Sequence, residues 1–306
     1  MKLPYYPGCT LKDRTSQLEA TALAAAEKLG IQLEEMPNWT CCGAVYPVSE
    51  TKIVNLVAPF RILKEVSEAG SDKLVTICDF CYNVLKRANL AIHEDPVKRQ
   101  RMNAFLQDDD RRWAASGQQV GEGQEYDGGV TVLHYLQMLR EELGFDVMAK
   151  AVEKPLSGLK VAPYYGCNLL RPPAEMEFDD PENPRIMEDF LEHIGASVVE
   201  SPYRIECCGS FLSLSSPEAA RRLSHNILES ARKSGADAIM LSCPMCFYNL
   251  EQKQKEFGQH FPGFRPMPVF FFTQLLALAL GLDPQVLGFE RHFVDPIPLL
   301  KERELV

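Results

Sequence analysis

The chain of 306 residues carries no block of lysine or arginine, and its formal net charge is −10. An acidic chain without a concentrated basic patch cannot neutralise phosphates, which excludes nucleic acid and anionic lipid as expected partners. A hydrophobic run long enough for a bilayer is also lacking. The most apolar stretch, 267–282, is interrupted by Pro268, Thr273, Gln274 and Gly281, and it falls short of the roughly 20 residues that a spanning helix needs. A buried strand running into a buried helix is expected there, so the protein is not expected to span a membrane. The start, Met1-Lys2-Leu3-Pro4-Tyr5-Tyr6-Pro7-Gly8, has a single charge and no apolar leader core, so a cytoplasmic location is expected. Spaced histidine ligands are missing as well. His93, His134, His193, His225, His260 and His292 share no common interval. Any of them could donate a proton, but an ordinary surface or helix position is the expectation for each.

What is present is cysteine: ten residues in a chain with 46% apolar and 24% charged residues, a normal globular composition. Cytosolic thiols stay reduced, so patterned cysteines without an export signal point to metal binding or redox chemistry and away from a disulfide framework. The pattern is an internal repeat. The first half holds Tyr5-Tyr6-Pro7-Gly8-Cys9, Cys41-Cys42-Gly43 and Cys78-Asp79-Phe80-Cys81. The second holds Tyr164-Tyr165-Gly166-Cys167, Cys207-Cys208-Gly209 and Cys243-Pro244-Met245-Cys246. Offsets of 158, 166 and 165 residues imply two copies of one domain, 1–152 and 153–306, with the boundary near the Pro- and Gly-containing stretch 148–158.

The intervening segments correspond too. Ile53, Leu56, Val57, Phe60, Leu63 and Val66 predict a helix ending at Gly70, and Ala220, Leu223, Ile227, Leu228 and Ala231 predict one ending at Gly235. Ser216 before Pro217 is a good start for the second. Each helix leads to a strand, 73–77 and 236–241, whose carboxyl end delivers a Cys-x-x-Cys, with a further helix from about Tyr82 and Phe247. Strands are also expected at 31–36, 130–133, 159–164, 197–200 and 268–271. Strands alternating with helices give parallel sheets, with ligands beyond the strand carboxyl ends. The segment 114–129 reads as a mobile loop and Asp108-Asp109-Asp110-Arg111-Arg112 as a solvated face.

Each half therefore offers a lone cysteine, an adjacent pair and a Cys-x-x-Cys. Adjacent cysteines are better read as two ligands of a polynuclear group than as a strained vicinal disulfide. Zinc takes four ligands and so does a cubane iron–sulfur cluster, so five thiolates would leave one idle. Five, repeated twice, favour a larger or irregular iron–sulfur cluster. A zinc site, or a cubane with a spectator cysteine, stays open.

Cys9, Cys41-Cys42-Gly43 and Cys78-x-x-Cys81, repeated as Cys167, Cys207-Cys208-Gly209 and Cys243-x-x-Cys246, resemble the tandem cysteine-rich CCG domains of the B component of heterodisulfide reductase. Gly166-Cys167-Asn168-Leu169-Leu170-Arg171-Pro172-Pro173 and Phe178-Asp179-Asp180-Pro181-Glu182-Asn183-Pro184 are similar to that family as well. One departure is the 34 residues between Cys208 and Cys243, one fewer than the family's usual spacing. The resemblance implies an α/β fold of two homologous Rossmann-like domains related by a pseudo-two-fold duplication. It implies that each quintet holds a non-cubane 4Fe-4S cluster, built as two smaller units sharing an iron, and that a disulfide is split between the two clusters. Electrons would come from the iron–sulfur C component of such a complex, fed by its flavin-containing A component. The sequence has no Cys-x-x-Cys-x-x-Cys run of its own, so an external donor is expected. The alternatives are an electron-relay iron–sulfur protein of a glycolate- or lactate-oxidising type system, and a zinc-stabilised scaffold. Tyr5, Tyr6, Tyr164 and Tyr165 are expected to pack near the cysteines. Asn168, Arg171 and the acidic loop to Arg185 could touch substrate or a partner, and the tail from Asp295 to Leu300 could dock on the chain or on another protein of the complex.

Overall fold

The structure is a computed structural model that describes residues 1–44, 53–115 and 124–306, apart from the side chains of 112–115. The first copy runs β1 (Lys2–Tyr6), α1 (Ser16–Lys28), β2 (Gln32–Glu35), α2 (Val57–Glu68), β3 (Lys73–Thr76), α3 (Asp79–Glu94), α4 (Pro96–Ala115), β4 (Thr131–His134), α5 (Tyr135–Met138) and α6 (Phe145–Ala149). The second runs β5 (Lys160–Pro163), α7 (Pro173–Met176), α8 (Ile186–His193), β6 (Ser197–Val198), α9 (Pro217–Lys233), β7 (Ala238–Leu241), α10 (Pro244–Phe247), α11 (Gln254–His260), β8 (Val269–Phe271), α12 (Phe272–Ala279) and α13 (Ile297–Glu302). Among the described residues the strands form two all-parallel sheets, β2-β1-β3-β4 and β6-β5-β7-β8, the same Rossmann-like order twice.

The inner strands form where short apolar runs are buried on both faces, as parallel sheets require, whereas the edge strands β2 and β6 are largely exposed. All four residues of β7 are buried. One strand escapes that signal. Pro4 sits inside β1, between β2 and β3, and a proline ordinarily argues against an interior strand. Its missing N–H is tolerated because β3 pairs only from Tyr5 onward, through Tyr5 with Val75 and Tyr6 with Thr76.

The copies are joined through α1 and α12. Thr21 Oγ1 of α1 lies 2.7 Å from Thr273 Oγ1 of α12, and the Thr273 hydroxyl reaches Leu18 O of α1 at 3.2 Å. Phe272, fully buried, has Tyr135 and Phe190 at ring-centroid distances of 5.8 and 5.9 Å. The apolar stretch 267–282 is thus β8 running into α12, and no helix among the described residues is long and apolar enough to cross a membrane.

Three expectations change. The acidic run of α4 is not a solvated face: Asp109 pairs with Arg61 of α2, and Asp110 accepts from the buried Lys64 at 2.9 Å. The loop expected over 114–129 begins later, because Ala114 and Ala115 still belong to α4. Its part 116–123 lies outside the described residues, and 124–129 has no regular structure. The tail docks on the chain: Leu300 is fully buried, and Val294 N donates to Glu251 Oε1 at 2.8 Å.

Candidate cysteine-lined centre

Both Cys-x-x-Cys elements are built by one local device. The helices expected from Tyr82 and Phe247 start three residues earlier, with Cys78 and Cys243 as N-caps of α3 and α10. Asp79 in one copy and Pro244 in the other open the first turn, and proline is preorganised for that place. The inner cysteines, Cys81 and Cys246, therefore sit within the first turn.

The other thiols come to these turns. Cys42 Sγ lies 3.6 Å from Cys81 Sγ, and Cys9 Sγ lies 3.7 Å from Cys41 Sγ. Cys208 Sγ lies 3.5 Å from Cys246 Sγ. The lone cysteines are brought close by Gly8 and Gly166, which follow the tyrosine pairs with φ of +75° and +65°. A Cβ at Gly8 would stand 2.7 Å from Cys81 Sγ, and one at Gly166 3.2 Å from Cys246 Sγ. Glycine is thus required both for the turn and for the approach of backbone to sulfur. All ten cysteines are free thiols. Cys9 and Cys41 are exposed, Cys167 and Cys207 are half-buried, and the other six are buried. Among the described residues, no three His, Cys, Asp or Glu side chains gather as closely as a lone metal ion requires.

The thiols polarise one another in a repeated pattern. Hydrogen bonds from Cys41 and Cys81 pull Cys42 down to about 3, and one from Cys246 lowers its counterpart Cys208. Cys81 and Cys246 are pushed up, first by the thiolates they donate to and then by burial. Cys41 is raised by Cys42, whereas Cys207 is lowered to about 6 by Cys167. Burial pushes Cys243 up to about 11. The soft-donor set suits iron and sulfide.

The two centres abut. Ser242, next to Cys243, donates its hydroxyl to Asp79 Oδ2 at 3.1 Å across the copies. Phe80, inside the first Cys-x-x-Cys, faces Phe211 of the second copy at 5.5 Å between centroids. Asp79 is a buried carboxylate, and His134 Nε2 lies 3.3 Å from its Oδ1.

Sequence reasoning does not single out Asp79 or Ser242, and His134 is no surface residue: it is fully buried. Its Nδ1 accepts from Leu136 N at 3.2 Å, so the ring proton sits on Nε2, 2.9 Å from Ile77 O. Its position at the carboxyl end of β4, level with the Cys-x-x-Cys of β3, is the signal that could have found it. The tyrosines pack as expected. All four are buried, and the Tyr6 and Tyr164 hydroxyls donate to Thr40 O and Glu206 O, both at 2.7 Å. The carbonyls of Asn168 and Arg171 both accept from Asn83 Nδ2 at 2.9 Å, so this stretch of backbone ties the second copy to α3.

Comparison with known families places these features. The CCG Cysteine-rich domain matches residues 3–86 and 161–251. The chain belongs to the CCG cysteine-rich domain family. It is similar to the membrane anchor subunit of 8-methylmenaquinol:fumarate reductase from Wolinella succinogenes, at 30% identity over 96% of this chain and 98% of that protein. It is also similar to the B component of ferredoxin:CoB-CoM heterodisulfide reductase from Methanosarcina mazei, at 28% identity over 98% of this chain and 96% of that one. In fold, it is like a hypothetical protein from Helicobacter pylori, with a TM-score of 0.70 at 14% identity. That likeness covers 96% of this CCG chain and 53% of the Helicobacter chain.

Proposed function

We propose that this CCG protein is the catalytic iron–sulfur subunit of a heterodisulfide-reductase-type complex, an oxidoreductase that reductively cleaves a disulfide. On this reading 1–152 and 153–306 are the two units. Cys9, Cys41, Cys42, Cys78 and Cys81 hold one non-cubane 4Fe-4S cluster, and Cys167, Cys207, Cys208, Cys243 and Cys246 hold the other. The observation that carries it is the abutment of two complete thiol sets, joined by Ser242 on Asp79 and by Phe80 on Phe211.

Cleaving a disulfide takes two electrons and two protons and yields two thiols. When bound, the paired clusters would supply the two electrons and iron for the released sulfurs. The residues of the chain do the rest. The helix starts at Cys78 and Cys243 fix the two thiols of each Cys-x-x-Cys on one turn. Phe80 and Phe211 meet across the copies beside the thiol sets. Cys9 and Cys41, exposed in the chain alone, leave the first centre accessible to an electron donor. That donor would be the iron–sulfur C component of the complex, charged in turn by its flavin-containing A component, and the complex would work in the cytoplasm.

The Wolinella relative favours a second reading. A membrane anchor subunit of a quinol:fumarate reductase, similar along nearly the whole of both chains, suggests an electron relay with no disulfide substrate. One experiment separates the readings. Iron and acid-labile sulfide are quantified in anaerobic full-length protein, and electron paramagnetic resonance spectra are recorded with and without candidate disulfides and a strong reductant. Cluster signals that change with a disulfide, together with thiol release, support the reductase. Cluster signals indifferent to every disulfide support the relay, and zinc without iron sinks both.

A further inference from the structure

The two thiol sets match in number and differ in what touches them. Asn249, 2% exposed, lies on one turn of π-helix, Tyr248–Gln252, that continues α10. Its Nδ2 donates to Cys208 O at 3.2 Å and lies 3.7 Å from Cys208 Sγ, within reach of an N–H···S hydrogen bond. Ser213 Oγ donates to Asn249 Oδ1 at 3.2 Å, so the amide oxygen faces the serine and the nitrogen faces the sulfur. Ser224 Oγ also holds Cys208 O, at 2.9 Å. In the first copy α3 runs on as a regular helix through the same place. The third residue after the inner cysteine is Val84 there, and the residue eleven before the helix-ending glycine is Pro59 instead of Ser224. Neither side chain has a hydrogen to donate, and the Tyr6 hydroxyl, the side-chain group beside Cys42, gives its hydrogen to Thr40 O at 2.7 Å. π turns of this kind recur at functional sites because they swing one residue out of helical register.

We propose that Asn249 tunes the second centre: its amide N–H, aimed at the Cys208 sulfur, makes the cluster of the second copy easier to reduce than that of the first. This rests on the reading that each quintet holds a cluster. The reason is electrostatic. An added electron places negative charge on the ligand sulfurs. A donor fixed against one of them stabilises the reduced form more than the oxidised one, and more strongly in a buried site than in water. Asn249 is thus a positioning residue acting through Cys208, and Ser213 holds it in place. On that reading the first electron would settle in the second set, whose cysteines are buried or half-buried, and the next in the first set, which holds the exposed Cys9 and Cys41.

The test is a redox titration of anaerobic, cluster-loaded full-length protein at a mediated electrode with dithionite as reductant, followed by electron paramagnetic resonance. The parent protein is expected to show two components with separate midpoints. In Asn249→Leu the higher midpoint should fall, raising the oxidised-to-reduced ratio at fixed potential by about tenfold, or about 59 mV for one electron. The lower midpoint should stay put. Asn249→Asp keeps the shape, removes the N–H and should shift the same component the same way, which guards against a leucine that disturbs packing. Ser213→Ala should give a smaller shift of that component alone. Loaded variants with both midpoints unmoved, or with both moved together, overturn the inference. Parent protein that binds no iron overturns the cluster reading, and the inference with it.

Discussion

Cys42 and Cys208 occupy the same place in the two copies, each lowered by a hydrogen bond from its Cys-x-x-Cys partner. Around Cys208 stand Ser224 and Asn249; the matching positions in the first copy hold Pro59 and Val84. Around Cys42 the emphasis is on access, with Cys9 and Cys41 exposed while Cys167 and Cys207 are half-buried. The duplication has kept the thiols and let their surroundings diverge. One thiol set is open to solvent at two cysteines and the other is more enclosed.

Removing one inner thiol is the strongest way to break that comparison. Cys81→Ala and Cys246→Ala should each halve the iron and sulfide content and leave the other centre's spectrum intact. Loss of all iron from either variant would mean that the two centres assemble as one unit. Next comes Gly8→Ala against Gly166→Ala. Both positions have positive φ, which costs a β-carbon-bearing residue about 1–3 kcal/mol. The Cβ at Gly8 would also meet Cys81 Sγ at 2.7 Å, closer than the 3.2 Å to Cys246 Sγ at Gly166, adding about 1–3 kcal/mol of overpacking. Urea unfolding should show the first substitution to be the more damaging. Equal losses would mean that the first turn yields freely.

Ser242→Ala sharpens the comparison at the seam between the copies. It strips the buried Asp79 Oδ2 of its donor, which should destabilise the protein by about 1–3 kcal/mol. Ile77→Ser at the matching position of the first copy should give no compensating gain, because it is the Ile77 backbone carbonyl that His134 meets. Chemical denaturation of the two variants and their double mutant measures this directly.

Much of the architecture was legible because it rests on local pattern. Apolar runs such as 236–241 and helix-ending glycines at 70 and 235 recur at nearly constant offset, and the structure places β7, α2 and α9 accordingly. β1 was hidden because Pro4 reads as a strand breaker, and only the late start of its pairing with β3 excuses it. The seam was hidden for a different reason. Asp79 and Ser242 are 163 residues apart, and nothing in either local sequence announces a cross-copy hydrogen bond. The same holds for Lys64 with Asp110, which turned an expected solvent face into a buried anchor. Asn249 was invisible because its reach depends on a change of helical pitch, a property of packing that residue identity does not declare.

The smallest expected effect lies in the pH dependence of stability, and both copies contribute to it. Glu251, on the same π turn as Asn249, is buried beneath the tail, and burial lifts its carboxyl from 4.5 to about 7. A folded-state value above the unfolded one means that the folded protein binds the extra proton. The contribution of Glu251 to stability is therefore fully present below about 4.5 and is lost as pH rises through about 7, where the buried carboxylate must ionise. Glu251→Gln removes that proton while retaining an acceptor for Val294 N, so its denaturation midpoint should fall less steeply across this window. In the first copy, Glu65 of α2 is likewise raised to about 7 by burial, so Glu65→Gln should flatten the slope further. If Glu251→Gln leaves the slope untouched, the carboxyl is already ionised in the folded protein, and the tail shields the π turn less than its burial indicates.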